Sequence, residues 1–186
     1  MKWSYSSMKL FEQCPRKYFH LRVAKDVVEP ESEAMHYGTR FHEAAEFYIR
    51  DGTPMPEYFK FAKGALDSLK QIEGEKICEY EMGMTADLEP CGFHDERVWY
   101  RGIADLLIIN REKGEARVID YKTGKRKPSE QLALYAAFEF AHDIDARLAG
   151  GVVGVDDFAE AFDTELAGFD LFEVEDGDPT TPGAER

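Results

Sequence analysis

Apolar residues recur at helical spacing between Ala34 and Ile49, where Phe41, Ala44, Ala45 and Tyr48 fall on neighbouring turns, so this stretch predicts a helix that carries His42. Before it, Ser4 or Ser6 can cap a helix running to about Gln13, with Met8 and Phe11 or Leu10 and Cys14 on one face. Pro15 interrupts that helix. A basic stretch follows, Arg16, Lys17, Arg22 and Lys25, interleaved with Tyr18, Phe19 and Leu21, and VVEPESE reads as a loop. After a break at DGTPMP, a third helix is predicted from about Glu57 to Gln71. The period then changes. Ile77 to Met84 alternates, VWYRGIADLLIIN is rich in β-branched and aromatic residues, and NREKGE is a turn before the strand ARVIDYKT. These segments predict an antiparallel hairpin with a neighbouring strand. Pro128 and Ser129 open a further helix to about residue 142, and a short strand is expected near Val152 to Val155. Beyond it lie an acidic amphipathic segment and EDGDPTTPGAER, which has the composition of a disordered end.

A chain of 186 residues with 44% hydrophobic and 13% aromatic residues is the size of about one domain and can bury a substantial core. Its longest apolar run, Leu132 to Phe138, is seven residues, far short of the ~20 needed to cross a bilayer. MKWSYSSMKLF has no apolar h-region, so a cytoplasmic location is expected. Cys14, Cys78 and Cys91 include no C-x-x-C pair and are expected to be free thiols. The net charge of −14 is unevenly spread, because residues 1–145 carry −5 and residues 146–186 carry −9. The acidic balance that would argue against a nucleic-acid partner is therefore concentrated at one end.

The segment GIADLLIINREKGEARVIDYKTGK concentrates the chemistry. Asp105 lies on one hairpin strand, with Asp120 and Lys122 on the next. Residues two apart on a strand share a face. If the register sets Asp105 opposite, two carboxylates and an ammonium meet at one end of a sheet among apolar neighbours, and a divalent cation would offset the repulsion. A nearby lysine is placed to stabilise charge on a phosphate or to help deprotonate an attacking water. On its own an Asp-x-Lys on a strand is usually an exposed ion pair, and a lone His42 is more often a surface or packed histidine. HEAAE is not a zinc-protease motif, because Glu46 stands where the second histidine is required. TGKRK is not a P-loop end, because Ile119 replaces the first glycine and Arg126 the Ser/Thr.

The motifs together resemble the PD-(D/E)XK nuclease superfamily, and in particular its RecB-like branch, which includes phage exonucleases. SYSSMKLFEQCPRKY is similar to that branch's N-terminal signature, GTRFHEAAE to its histidine motif, RGIADLLI to its glycine-x-x-aspartate motif, VIDYKTG to aspartate-x-lysine, and QLALY to glutamine-x-x-x-tyrosine. Any one of these strings is weak, but five in order over residues 4 to about 142 are specific. The resemblance implies an α/β fold with a restriction-endonuclease-like core, a mixed central sheet of about four or five strands flanked by helices. It implies a nuclease domain over residues 1–155 (a helical part to about 72, a catalytic sheet core from about 75), followed by an acidic, partly disordered tail over 156–186.

For the site, the resemblance implies that His42, Asp105 and Asp120 hold Mg²⁺ or Mn²⁺, with the Ile119 or Asp120 backbone adding a carbonyl. Asp105, Asp120 and Lys122 would be catalytic, while Gln131 and Tyr135 orient the site or contact a phosphate. An acid in the strand before the hairpin often joins such sites, and Glu81 is expected in preference to Glu79. Lys125, Arg126 and Lys127 would meet a DNA backbone, and Arg16, Lys17, Arg22 and Lys25 could form a second phosphate track or a plain amphipathic surface. Some relatives hold an iron–sulfur cluster through one N-terminal and three C-terminal cysteines. Cys14 matches the first, but no cysteine follows Cys91, so no cluster is expected.

The expected function is metal-dependent hydrolysis of DNA phosphodiesters, as an exonuclease in recombination, repair or phage DNA processing, with a recombination or replication protein as partner. RNA as substrate stays open. A second reading belongs to another class: a catalytically idle nuclease fold used as a binding or regulatory module, its acidic tail mimicking DNA or engaging a protein. Intact Asp105, Asp120 and Lys122 argue against a dead site.

Overall fold

The structure is a computed structural model that describes residues 2–123, Gln131 and 147–154. Four helices precede a five-stranded sheet of order β2-β1-β3-β4-β5. Its strands are β1 (Glu75–Thr85), β2 (Pro90–Cys91), β3 (Val98–Asn110), β4 (Glu115–Lys122) and β5 (Arg147–Gly154). The first four are antiparallel to their neighbours, and β5 runs parallel to β4. The mixed α/β sheet is the expected fold class. β5 starts five residues before the segment read as a strand, and the two-residue β2 carries too short a pattern to be read from sequence.

Helix α1 (Tyr5–Gln13) begins at Ser4, whose side chain accepts the Ser7 N–H while Ser7 Oγ accepts the Ser4 N–H. Pro15 ends it, as expected, and then serves as the first residue of α2 (Pro15–Tyr18), where its missing N–H costs nothing. Cys14 caps that helix, its sulfur accepting the Lys17 N–H at 3.4 Å. The chain then winds into a π-helical turn, Phe19–Ala24, closed by Lys25 in the left-handed region at φ 54°. Helix α3 (Glu33–Asp51) is capped by the Ser32 hydroxyl on the Met35 N–H. The predicted third helix splits into a 3₁₀ stretch, Glu57–Ala62, and α4 (Lys63–Gln71).

The two faces of the sheet are covered differently. On one side, α3, α4 and the 3₁₀ stretch set Phe41, Ala45, Phe59, Ala62, Leu66 and Leu69 against Leu106, Ile108, Ile119 and Tyr121. On the other, Trp3, Tyr5 and Met8 pack on Met82, Met84, Tyr100, Ala104, Leu107, Ala116 and Val118. Each large apolar side chain so buried contributes roughly 1.5–3 kcal/mol. Phe41, 1% exposed, and Ala45, fully buried, therefore fix the rotation of α3 and with it the direction of His42. Trp3 adds a further backbone rung to β3, its N–H donating to Trp99 O (2.7 Å) and its carbonyl accepting from the Arg101 N–H (2.9 Å). Among the described residues no helix is long and apolar enough to cross a membrane.

Candidate active site

The hairpin of β3 and β4 is laddered only from Asn110↔Glu115 to Leu106↔Ile119. One step further the same register would set Asp105 opposite Asp120, and there the backbone ladder stops. The Asp105 carboxylate takes over: its Oδ2 accepts the Tyr121 N–H, so a side chain replaces a strand partner where the two strands part. Its other oxygen, Oδ1, lies 3.2 Å from His42 Nδ1 on α3. The His42 ring meets the ring of Tyr121 edge-on at 5.8 Å, which holds the imidazole beside β4.

The first strand supplies a third group. Cys78 pairs with Leu106 and Tyr80 with Ala104, which sets Glu79 across from Asp105. Glu79 has φ 50°, left-handed backbone in a strand. Strict alternation fails here on both strands: Ile77 and Tyr80 pack on the α1 side while Cys78 packs on the α3 side, and Ala104 and Leu107 pack on the α1 side while Leu106 packs on the α3 side. Two consecutive residues on each strand thus face α3, one entering the helical core and the next entering the site. His42, Glu79 and Asp105 each offer a ligand atom within 4.8 Å of the others.

Asp120 is 2% exposed. Lys122 Nζ lies 2.6 Å from its Oδ2, an ion pair. The lysine also donates to Gln131 Oε1 at 3.3 Å. Burial, and then the charge of Asp105, push the Asp120 carboxyl up to about 6 against the opposing pull of Lys122 and His42. Glu79 is raised for the same two reasons, its desolvation coming first. At His42 burial works to lower the pKa, but the hydrogen bond to Asp105 and the charges of Asp105, Asp120 and Glu79 prevail and raise it. Three carboxylates are therefore gathered round one imidazole, closer to one another than their charges favour.

A divalent cation fits this donor set. Carboxylate oxygens with one imidazole nitrogen are ligands that Mg²⁺, Mn²⁺ and similar ions accept, and the crowded negative charge is the repulsion that such an ion would relieve.

Of the residues singled out from sequence, the structure brings together His42, Asp105, Asp120, Lys122 and Gln131. It does not bring Glu81 to the group. Glu81 is exposed and pairs with Ile103, two residues along from Glu79, or roughly 7 Å at the rise of a strand. Glu79 takes the place expected of Glu81. The signal for it is the positive φ, which alternation of residue types does not reveal. Lys125, Arg126, Lys127 and Tyr135 lie outside the described residues, as does the tail over 156–186. In the N-terminal basic stretch Lys17 pairs with Glu29 at 2.7 Å, and Arg16, Arg22 and Lys25 are exposed. Cys14, Cys78 and Cys91 are free thiols, and burial raises Cys78 to about 11.

An α/β sheet with acids gathered where a hairpin splays, and an Asp-x-Lys on one of its strands, is the architecture of a nuclease. A family model for the PD-(D/E)XK nuclease superfamily matches residues 2–73 and 61–142. Together these segments cover most of the chain, which belongs to that superfamily. No match was found among curated proteins.

Proposed function

We propose that this protein is a divalent-cation-dependent deoxyribonuclease of the RecB-like branch, acting as an exonuclease in recombination, repair or phage DNA processing. The observation that carries the reading is the juxtaposition of the His42–Glu79–Asp105 trio with the Asp120–Lys122 pair at the point where β3 and β4 separate. The order of the motifs from SYSSMKLFEQCPRKY to QLALY supports the branch.

His42, Glu79 and Asp105, with Asp120 beside them, would hold Mg²⁺ or Mn²⁺. Such an ion polarises a phosphate and lowers the pKa of a bound water. Asp105 does two jobs through its two oxygens, tying β3 to the Tyr121 N–H and orienting the His42 ring. Lys122 stands 42% exposed at the mouth, its ammonium held by Asp120 and Gln131 and aimed where a phosphate oxygen would gather charge. Gln131 acts through Lys122 as a positioning residue.

The test is degradation of end-labelled linear DNA and of a circle of the same sequence, each with Mg²⁺, Mn²⁺ or chelator. The reading expects nucleotides released from linear DNA in either cation and none in chelator. Cutting of the circle would replace the exonuclease assignment by an endonuclease one, and intact DNA in both cations would end the nuclease reading.

A further inference from the structure

Gly38 sits inside α3 with ordinary helical backbone, so no left-handed φ calls for glycine there. Packing does not call for it either. Among the described residues a Cβ at Gly38 would meet Thr123 Oγ1 alone, at 3.5 Å, which is ordinary van der Waals contact. Glycine nevertheless weakens a helix interior relative to alanine, and nothing in the described fold offsets that cost. The location of the residue is informative. Gly38 lies one turn before His42 on the same face of α3, roughly 5–6 Å away. Opposite it runs the end of β4, where Tyr121 packs on the α3 side and Thr123, two residues on, brings its hydroxyl to Gly38. That hydroxyl has no hydrogen-bond partner among the described residues. Gly38 and Thr123 are half-buried, while Met35 and Thr39 on the adjoining part of α3 are exposed, so the seam between helix and strand opens to solvent beside the acids.

We infer that this seam is a subsite for a nucleic-acid backbone, in which the phosphate next to the scissile one lies over Gly38 and accepts a hydrogen bond from the Thr123 hydroxyl. The inference rests on the nuclease reading and names a substrate contact outside the cation's ligands. Glycine is the residue that lets a ligand approach backbone closely. Threonine hydroxyls are among the groups that position a strand through its phosphate oxygens, without reading its bases. One helical turn from His42 is the reach of an adjoining linkage of the same strand, and Lys122, the neighbour of Thr123, already faces the scissile phosphate.

The test is binding of two fluorescein-labelled probes, oligothymidine and a duplex of the same length, to the full chain. Anisotropy is read in Ca²⁺, which takes oxygen ligands and so offsets the charge of the acids; KM and kcat on linear DNA are measured in Mg²⁺. Thr123→Val, which keeps the shape and removes the hydroxyl, should weaken binding about 3- to 10-fold, the scale of one hydrogen bond, and Thr123→Ser should restore it. Gly38→Ala should weaken it at least as much while raising the midpoint of denaturant unfolding, because alanine favours the helix. In both variants the loss should appear in KM and not in kcat, as removal of uniform binding does. A lower unfolding midpoint for Gly38→Ala, wild-type affinity in Gly38→Ala or Thr123→Val, or binding of neither probe by the wild type would each overturn the subsite. If the variants lose affinity as expected but the wild type cleaves nothing with Mg²⁺ or Mn²⁺, the inference stands and the nuclease reading falls. If DNA is cleaved yet both variants bind as tightly as the wild type, the inference alone falls.

Discussion

Glu79 and Asp105 face each other across β1 and β3, and each follows a neighbour, Cys78 or Leu106, onto the same side of the sheet. Residues directly opposite on paired strands share a face, so that double departure from alternation brings both acids to the α3 side together. With His42 they make a ligand set. Glu79→Gln should therefore weaken Mn²⁺ binding by about 10- to 100-fold, a loss on the scale typical of damage to a metal site, whereas Glu81→Gln, two residues along the strand, should bind as wild type does. Isothermal titration with Mn²⁺ on both variants decides between them. A larger loss for Glu81→Gln would restore the expectation from sequence.

Crowded acids make the metal-free protein sensitive to pH in a definite direction. Asp120 titrates near 6 when folded, and the ordinary value for an unfolded aspartate is about 3.9. The folded state therefore binds the proton more tightly. Its stabilising contribution is present below pH ~4 and is lost as pH rises through 6. Glu79 and His42, both raised, act with the same sign, His42 above pH ~6.5. The exposed acids whose pKa values are lowered by ion pairs, Asp51, Asp67, Glu73 and Asp95, act oppositely, but only below pH ~4. In chelator, Tm should fall by several degrees from pH 5 to pH 8, corresponding to about 1–2 kcal/mol. Asp120→Asn should flatten this dependence. Divalent cations should reverse it, raising Tm more at pH 8 than at pH 6, because binding displaces protons from the ligands. A Tm that rises with pH in chelator would contradict the geometry of the acids.

The entry into β1 depends on Gly74. Its φ is 130°, and a Cβ there would come within 2.7 Å of the Ile109 carbonyl oxygen. Gly74→Ala should cost about 1–3 kcal/mol in denaturant unfolding, since backbone must move to admit it. An unchanged midpoint would show that the turn between α4 and β1 is looser than the structure has it.

Sequence patterning reaches much of this architecture because most of it is local. The 3.6-residue period around Phe41 and Ala45 specifies α3 and places His42 on it. The β-branched run from Val98 to Ile109 and the turn after Asn110 specify the hairpin, and the i,i+2 spacing of Asp120 and Lys122 specifies their contact. What it misses is set by backbone geometry or by distant partners. The left-handed conformation of Glu79 replaces Glu81 in the site, although both are acids two residues apart on the same strand. The ending of the ladder at Leu106↔Ile119, with Asp105 closing it through the Tyr121 N–H, depends on where the two strands part in space. The capping role of Cys14, whose sulfur takes a helix N–H, is not in the residue pattern either. The closeness of the Cys91–Gly92 backbone to Gly83 is likewise encoded by no periodicity.

The central claim is that Asp105, Asp120 and Lys122 carry cation-dependent cleavage of a phosphodiester. It is tested most directly by initial rates on labelled linear DNA in saturating Mg²⁺ or Mn²⁺ for wild type, Asp105→Asn, Asp120→Asn and Lys122→Ala, with folding checked by circular dichroism. Each variant should lose about 10²-fold or more in rate while keeping its fold, a drop on the scale of removing one positioned acid, base or electrostatic group. Folded variants that degrade DNA as fast as the wild type would contradict the account.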